Sequence, residues 1–359
     1  MAERKKILEI NDLRISFRTQ QGELHALRGV NIDLYKGETL AIVGESGSGK
    51  SVTSRAIIGI LAKNSIHDGG TINYYDEEAL VSKDAQYIDL MQIEEEDFHK
   101  LRGTKISMIF QDPMSSLNPI MKVGTQISEA LFLKMGMTRA EAKERTLELM
   151  KEVGIPEAEK RYYQYPFQFS GGMRQRIVIA IALANDAEIL ICDEPTTALD
   201  VTIQAQILEL INRIKKERNL TIIFITHDLG VVANMAERVA VMYAGQIIEY
   251  GNVDEIYYDP RHPYTWALLS AMPDLETDEK LFAIPGTPPD LHFPPAGDAF
   301  APRNHYAMEI DFEEEPPMFQ ISETHFAKTW LEHEFAPQVE KPSAVVRRME
   351  RHIKVMEAK

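Results

Sequence analysis

One stretch decides the fold: Gly44-Glu45-Ser46-Gly47-Ser48-Gly49-Lys50-Ser51. It follows the apolar run Thr39–Val43 and precedes a helical pattern over Val52–Leu61, so strand, loop and helix are predicted in that order. The glycines open conformations in which successive N–H groups point at phosphate oxygens, next to the positive end of the helix dipole. We expect Lys50 to reach the β- and γ-phosphates and Ser51 to give its hydroxyl to Mg²⁺. A glycine-rich turn without a ligand is the alternative, but the complete motif between a strand and a helix favours nucleotide binding.

The length and composition of the chain indicate its domain organisation and its location in the cell. At 359 residues the chain exceeds one hydrophobic core, so one large domain plus an appendage is predicted. The longest apolar run, Ile177–Ala184, falls short of the roughly 18 to 20 residues of a membrane span. The charged start Met1–Lys6 does not lead into a signal-peptide core, so a cytoplasmic location is expected. A single cysteine, Cys192, excludes an internal disulfide framework.

The charge of the chain is acidic and unevenly spread. A net charge of -16 argues against a protein that binds nucleic acid by neutralising many phosphates. Between Asp274 and Glu340 there are fifteen Asp or Glu residues against three Lys or Arg residues. The acidity therefore belongs to the C-terminal part of the chain and not to the nucleotide-binding part.

Two alternating segments precede the phosphate loop. Ile7–Phe17 and Leu24–Leu34 alternate apolar and polar residues, which predicts an antiparallel pair of half-buried strands. Phe17, or with less support His25, could stack on an adenine ring. A core position of the alternating strand is an equally good interpretation of Phe17.

A buried strand over Ile189–Asp193 delivers two carboxylates at its C-terminal end, Asp193 and Glu194. Burying paired carboxylates without a partner is expensive, so a cation is expected nearby, and Mg²⁺ bound to ATP supplies one. We expect Asp193 to hold the metal through water and Glu194 to orient or deprotonate the attacking water. Cys192 is interpreted as a small core residue of this strand.

Two further strands end in polar residues. Lys105–Phe110 is followed by Gln111, and Thr221–Ile225 is followed by Thr226 and His227. Ligands of open α/β sheets bind at the carboxyl ends of the strands. Gln111 and His227 are therefore predicted beside the γ-phosphate, where His227 can hydrogen-bond one of its oxygens.

Helical patterns lie between these strands. Val123–Leu133 and Arg139–Val153 have helical spacing, with Thr138 as the N-cap of the second helix and Gly154 as its stop. They predict a small helical subdomain, over about residues 115–170, inserted between the phosphate loop and the rest of the sheet.

A second candidate anion site follows this insertion. Ser170, Gly171, Gly172 and Met173 precede the apolar helix Ile177–Ala184, so a hydroxyl, unhindered N–H groups and a helix dipole meet there. An ordinary capped helix is the alternative. Two anion sites in one nucleotide-binding chain suggest that one of them serves the nucleotide of a neighbouring chain.

Taken together, these pieces resemble the ATP-binding subunits of ABC transporters over about residues 7–255. Five motifs carry the resemblance: the phosphate loop, Gln111, the Ser170-Gly171-Gly172 signature, Asp193-Glu194 with the Ala198-Leu199-Asp200 loop, and His227. Met173 stands where glutamine is usual, which matters little because the phosphate contact uses the serine hydroxyl and backbone N–H groups.

The resemblance implies the fold class and the site. The fold is a P-loop ABC ATPase domain of α/β class over residues 1–255, with an antiparallel β subdomain, an inserted helical subdomain and an irregular C-terminal extension over 256–359. Two such domains meet head to tail, so that each ATP lies between one phosphate loop and, in trans, the other chain's Ser170, Gly171, Gly172, Met173 and Asp200. Gln111 joins Ser51 and Asp193 around Mg²⁺, and Glu194, Gln111 and His227 surround the γ-phosphate for hydrolysis.

Three other segments look like the oligopeptide/dipeptide importer group: Tyr165–Arg176, Asp259–Thr265 and Ile284–Pro289. This implies a peripheral subunit at the cytoplasmic face of the cell membrane, partnered by a second, related ATPase, two permeases and an external solute-binding protein. Nickel importers share much of the pattern. Non-transport ABC ATPases acting on nucleic acid or ribosomes are the competing class, against which the acidic charge and the single cassette count. The segment 111–120 is expected to dock on a permease through Met114 and Leu117.

Some members of this group carry four cysteines in the C-terminal region, thought to hold an iron–sulfur cluster. The corresponding positions here are Asp298, Asn304, Asp311 and Thr329, and none is a cysteine. Since a cluster requires thiolates, no iron–sulfur cluster is expected, and hydrogen bonds among the four side chains are predicted to replace it. A hard cation bound by Asp298 and Asp311 is the alternative, although Asn304 and Thr329 are weak ligands.

Overall fold

A mixed sheet and an antiparallel sheet contain the strands of this computed structural model, which describes residues 4–75, 86–197, 199–272 and 284–357. The strands are β1 (Lys6–Thr19), β2 (Gly22–Tyr35), β3 (Thr39–Val43), β4 (Ser65–Tyr74), β5 (Ile88–Asp89), β6 (Ile106–Ile109), β7 (Ile189–Asp193), β8 (Thr221–Thr226), β9 (Arg238–Tyr243), β10 (Gln246–Asn252), β11 (Phe319–Gln320) and β12 (Phe326–Ala327). The helices are α1 (Lys50–Ile57), α2 (Glu95–Leu101), α3 (Pro113–Ser116), α4 (Val123–Met135), α5 (Arg139–Glu152), α6 (Ala158–Arg161), α7 (Gly171–Leu183), α8 (Val201–Arg218), α9 (Leu229–Val232), α10 (Val253–Tyr258), α11 (Pro263–Ser270), α12 (Glu309–Glu313) and α13 (Ser343–Glu357). Single 3₁₀ turns span Pro166–Gln168, Ala301–Arg303 and Trp330–Glu332.

The larger sheet has the strand order β11-β12-β10-β9-β3-β8-β7-β6. Strands β6, β7, β8, β3 and β9 run parallel, and the runs β3, β7 and β8 are buried along their whole length. Continuous apolar runs are typical of parallel strands, since helices cover both faces of such a sheet. The polar residues that follow these strands therefore meet at one edge.

The smaller sheet is antiparallel, with the order β2-β1-β4-β5. The predicted pair is confirmed: β1 and β2 are joined through Gly22, whose φ of 125° suits a tight connection, and Leu8 pairs with Leu34. The apolar side chains of both strands face one core, and this alternation is what the sequence pattern showed.

The predicted helical subdomain is formed by α3–α6, between β6 and α7. Thr138 and Glu141 form a capping box at the start of α5, and Gly154 has a left-handed φ of 78° just after its end. Both bounds predicted for the helix after the phosphate loop, Val52 and Leu61, were wrong. This helix begins at Lys50, because its polar first turn carries no apolar periodicity, and it ends at Ile57, shortly before Gly59 with its left-handed φ of 67°. The signature helix begins at Gly171, directly after its N-cap Ser170, so the predicted helix start at these residues is confirmed.

The C-terminal extension is joined to the nucleotide-binding part through the sheet. Strand β12 pairs with β10 at the sheet edge, and β11 pairs with β12. Beneath this edge the buried side chains of Glu249 and His325 lie 2.8 Å apart. In the terminal helix α13, Val345 is fully buried. The division at residue 255 stays a prediction, because α10 crosses it.

No helix in the described parts of the chain combines the length and the apolar character needed to cross a membrane.

Candidate functional site

The phosphate loop has the backbone that its glycines require. Gly47 and Gly49 have φ values of 80° and 110°, and α1 begins directly after Gly49. A Cβ added to Gly44 would lie 2.1 Å from the carbonyl oxygen of Met242 on β9, so only glycine fits there. The loop is therefore shaped both by its own conformation and by the neighbouring strand.

Lys50 is held inside this loop. Its Nζ donates to the carbonyl oxygens of Gly44 at 2.7 Å and Glu45 at 2.8 Å, and the residue is 5% exposed. Burial lowers the pKa of Lys50, while the carboxylates of Glu194, Asp193 and Glu45 act in the opposite direction. The geometry keeps the ammonium group at the site where phosphate oxygens are expected.

Asp193 and Ser51 meet at the end of β7. The Ser51 hydroxyl donates to Asp193 Oδ1 at 3.0 Å, and Asp193 is 3% exposed. Burial raises the pKa of Asp193, because the charged form is poorly solvated there. A buried carboxylate beside a hydroxyl is an oxygen ligand set that Mg²⁺ prefers, so these residues fit the metal.

Two predicted side chains and one that was not predicted converge on Glu194. Gln111 Nε2 donates to its Oε2 at 2.9 Å, and His227 Nδ1 lies 3.4 Å from its Oε1. The Thr197 hydroxyl also donates to Oε2 at 3.0 Å, a contact that the sequence did not predict. Glu194 has a φ of 48°, which is strained for a residue with a Cβ and is held by its N–H donating to Ile225. The structure thus fixes this carboxylate in one position.

The signature residues lie elsewhere on the surface. Ser170 caps α7 and accepts from Met173 N at 3.4 Å, while Asp200 caps α8 and accepts from Ile203 N at 3.0 Å. A Cβ on Gly172 would lie 2.6 Å from Cγ2 of Ile203, so the signature packs on the first turn of α8. Ser170 and Asp200 are exposed, and the cleft described next does not include them.

A cleft of about 500 Å³ opens beside the phosphate loop. One group of lining residues carries the phosphate-binding chemistry: Ser46, Gly47, Lys50, Ser51, Gln111 and Glu194. The other group consists of Phe17, Leu24 and Ala26 with the extension segment Pro288–Leu291. Phe17 also packs against the core of the small sheet, so both interpretations of this residue are compatible with its position.

Glu45 has a different environment from the one the motif predicts. Its N–H donates to the hydroxyl of Tyr264 at 2.8 Å, and its carboxylate pairs with Arg303, whose two terminal nitrogens lie 2.6 and 3.1 Å away. Arg303 also donates to the hydroxyl of Tyr243 at 3.1 Å. The extension therefore binds the phosphate loop through hydrogen bonds and an ion pair to Glu45. No local sequence pattern indicates this contact, because the partners lie far apart in the chain.

The four positions compared with a cluster site are not joined as expected. Among the described residues each side chain accepts from nearby backbone: Asp298 from Phe300, Asn304 from Tyr306, Asp311 from Met308, and Thr329 from Leu331. One oxygen of each buried aspartate has no hydrogen-bond partner. The prediction of hydrogen bonds among these four side chains was wrong, because each lies in a turn whose own N–H groups are nearer.

A largely parallel sheet in which one strand leads into a glycine-rich phosphate loop and another ends in paired carboxylates is the architecture of an ATP-hydrolysing cassette. The chain belongs to the ABC transporter family, whose model matches residues 15–197. The family model described as the oligopeptide/dipeptide transporter C-terminal region matches residues 248–310.

The relatives support this assignment along the whole chain. The chain is 59% identical over 346 residues to the oligopeptide transport ATP-binding protein OppD of Bacillus subtilis, covering 96% of this chain and 94% of the relative. It is 56% identical over 353 residues to the dipeptide transport ATP-binding protein DppD of Lactococcus lactis, covering 98% of each. Among solved structures, the dimeric ATP-binding cassette MJ0796 bound to ADP and Pi is similar with a TM-score of 0.59 and 26% identity, covering 69% of this chain and 99% of that one.

Proposed function

We propose that this protein is the ATP-hydrolysing subunit of an ABC importer for oligopeptides. The observation that carries the proposal is the 59% identity, over 96% of the chain, to an oligopeptide transport ATP-binding protein. The match of residues 248–310 to the C-terminal region of oligopeptide and dipeptide transporters supports the same substrate class.

In this proposal the hydrolysis step centres on Glu194. Its carboxylate accepts the proton of the water that attacks the γ-phosphate. The hydrogen bonds from Gln111 and Thr197 hold this carboxylate in position. His227, at 3.4 Å from Glu194, is placed to contact a γ-phosphate oxygen as well. Lys50 and the loop N–H groups position the phosphates, since positioning and charge stabilisation supply most of the catalysis of phosphoryl transfer.

The proposed metal site uses residues that already meet. Ser51 would hold Mg²⁺ directly and Asp193 would hold it through water, and the Oε1 of Gln111 would be available as a further ligand, since its Nε2 donates to Glu194. When bound, the cation neutralises charge that develops on the phosphate oxygens. We infer that the extension holds no iron–sulfur cluster, since Asp298, Asn304, Asp311 and Thr329 supply no thiolate.

The exposed signature calls for a second ATPase subunit. Ser170, Gly171, Gly172 and Met173, together with Asp200, are proposed to bind the nucleotide of a homologous partner in a head-to-tail heterodimer. The exposure of Ser170, Gly171 and Asp200, and the position of all five residues outside the chain's own cleft, support this arrangement. The capped start of α7 keeps a hydroxyl and a helix N-terminus available for a phosphate.

Two permeases and an external solute-binding protein complete the proposed transporter, which places this chain at the cytoplasmic face of the membrane and without a role on nucleic acid. The segment 111–120 is proposed to dock on a permease. Leu117 is buried among the helices of the insertion, so it cannot be a contact residue, whereas Ile120 is 82% exposed at the end of the segment.

The test is reconstitution in liposomes with the permeases that co-purify with the chain from membranes. Peptide-loaded binding protein is expected to stimulate ATP hydrolysis and peptide uptake, and Glu194→Gln in this chain is expected to abolish uptake. Stimulation by Ni²⁺-loaded binding protein without any response to peptide would assign the chain to a nickel importer. Stimulation by DNA or ribosomes in the absence of permeases would contradict transport altogether.

A further inference from the structure

The cleft lining outside the phosphate-binding residues comes from two distant parts of the chain. Phe17, Leu24 and Ala26 come from the β1–β2 hairpin, and Pro288–Leu291 come from the extension. The phosphate oxygens are expected beside Lys50, within the phosphate loop. The base and ribose of a bound nucleotide must therefore lie against this mixed surface.

The extension segment is held in place against the hairpin. The N–H of His25 donates to the carbonyl oxygen of Leu291 at 3.0 Å, and Thr19 Oγ1 lies 3.0 Å from His292 Nε2. Nearer its start, Arg303 Nε donates to the carbonyl oxygen of Pro285 at 2.7 Å. Since the prolines fix φ as well, this surface is formed before a ligand arrives.

The chemistry of the segment suits a nucleoside. Proline rings offer apolar faces that pack on a purine, as does Phe17. Asp290 Oδ1 accepts from His292 N at 2.9 Å and lies 2.7 Å from His292 Nδ1. The backbone and side-chain hydrogen bonds from His292 lower the pKa of Asp290, so its carboxylate stays charged and can only accept hydrogen bonds. Its ligand must then be a donor, which on ATP is a ribose hydroxyl or the exocyclic amine.

We propose that Pro288–Leu291 form the nucleoside wall of the ATP site. Pro288 and Pro289 pack with Phe17 against the base, and Asp290 accepts a hydrogen bond from the ribose or from the exocyclic amine. The C-terminal extension is thereby a part of the nucleotide site and sets its preference among nucleotides. This inference rests on the ATP site proposed above.

The first experiment measures ATP binding by calorimetry in full-length Glu194→Gln protein, where ATP is not consumed. Asp290→Asn keeps the size of the side chain and loses its charge, so ATP binding is expected to weaken three- to tenfold. Pro288→Ala with Pro289→Ala is expected to weaken it roughly tenfold, as the loss of two buried methylene contacts predicts. Glu334→Gln, which neutralises an exposed carboxylate of the same extension, is the matched control and should bind like the parent.

Nucleotide analogues identify the donor. If the ribose is the donor, 2′-deoxy-ATP or 3′-deoxy-ATP binds more weakly than ATP to the parent, and Asp290→Asn causes no further loss with that analogue. If the amine is the donor, inosine triphosphate shows this behaviour. Equal binding of ATP and all three analogues, together with unchanged ATP binding by Asp290→Asn, overturns the role of Asp290.

Photolabelling needs no variant and tests the wall itself. Protein irradiated with 8-azido-ATP is expected to carry label in the tryptic peptide that follows Lys280 and ends at Arg303, and excess ATP should suppress it. Label confined to the β1–β2 hairpin overturns the wall, as does unchanged ATP binding by the double proline variant. Lys50→Ala distinguishes failure of this proposal from failure of the ATP site itself. If Lys50→Ala weakens ATP binding and the variants at Pro288–Leu291 do not, only the role of Pro288–Leu291 is contradicted. If Lys50→Ala has no effect on ATP binding, the proposed ATP site is contradicted as well.

Discussion

Replacing Asp298 by asparagine is expected to stabilise the protein at neutral and alkaline pH. Asp298 is 5% exposed, its Oδ1 accepts from Phe300 N at 2.9 Å, and its Oδ2 has no hydrogen-bond partner. Burial, with a further contribution from the charge of Asp311, raises the pKa of Asp298 from 3.8 to about 6. The folded protein thus binds this proton more tightly than the unfolded chain does.

The sign and size of the effect follow from proton linkage. Because the folded-state pKa is the higher one, stability from this group is greatest below pH 4 and is lost as the pH rises through 6. A tenfold change in proton affinity corresponds to about 1.4 kcal/mol, so the difference between the two states amounts to roughly 3 kcal/mol above pH 6. Asparagine keeps an oxygen for the Phe300 N–H and carries no charge, which removes this penalty.

The assay is urea unfolding of the wild type and Asp298→Asn, followed by tryptophan fluorescence between pH 4.5 and 8. We expect the variant to be more stable by about 2 to 3 kcal/mol at pH 8, with a difference that falls to about 1 kcal/mol at pH 4.5, where the carboxylate of the unfolded chain is still largely ionised. Glu309→Gln, at an exposed carboxylate of the same extension, should show no such pH dependence. A variant no more stable than the wild type at pH 8 would show that the ionised Asp298 carboxylate does not destabilise the fold.

The remaining predictions concern the site and the extension. Glu194→Gln should lower ATP hydrolysis by at least a hundredfold and leave the ATP dissociation constant within about threefold, measured by phosphate release and calorimetry; normal turnover would contradict its role as base. Lys50→Ala should weaken ATP binding by roughly ten- to a hundredfold, since it removes charge-assisted hydrogen bonds, and unchanged affinity would count against the phosphate loop. Arg303→Gln should raise the KM for ATP several-fold, with Glu45→Gln and the double variant having about the same effect, because each breaks the one ion pair; additive effects would show that the residues act separately. Protein purified with or without air should be colourless and free of iron, because Cys192 lies in β7 and no thiolates are present in the extension; stoichiometric iron and sulfide would sink this prediction.

The sequence alone determined the features that depend on neighbours in the chain. The glycines of the phosphate loop, the capping box at Thr138 and the apolar runs of the parallel strands are short-range patterns with a direct physical meaning. The meeting of Gln111, Glu194 and His227 was also predictable, although they lie far apart in the chain. All three follow parallel strands, and such strands end at one edge of a sheet.

Contacts between residues far apart in the chain could be learned only from the tertiary structure. Glu45 looked like one more residue of the phosphate loop, yet it pairs with Arg303, which lies 258 positions further along the chain. The placement of Pro288–Leu291 in the cleft beside the phosphate loop follows from the joining of the extension to the sheet edge and the hairpin. No periodicity encodes these contacts, because they depend on which apolar faces bury each other. The unpartnered carboxylate oxygens of Asp298 and Asp311 come from the same long-range packing, since burial is a property of the folded chain and not of any segment of its sequence.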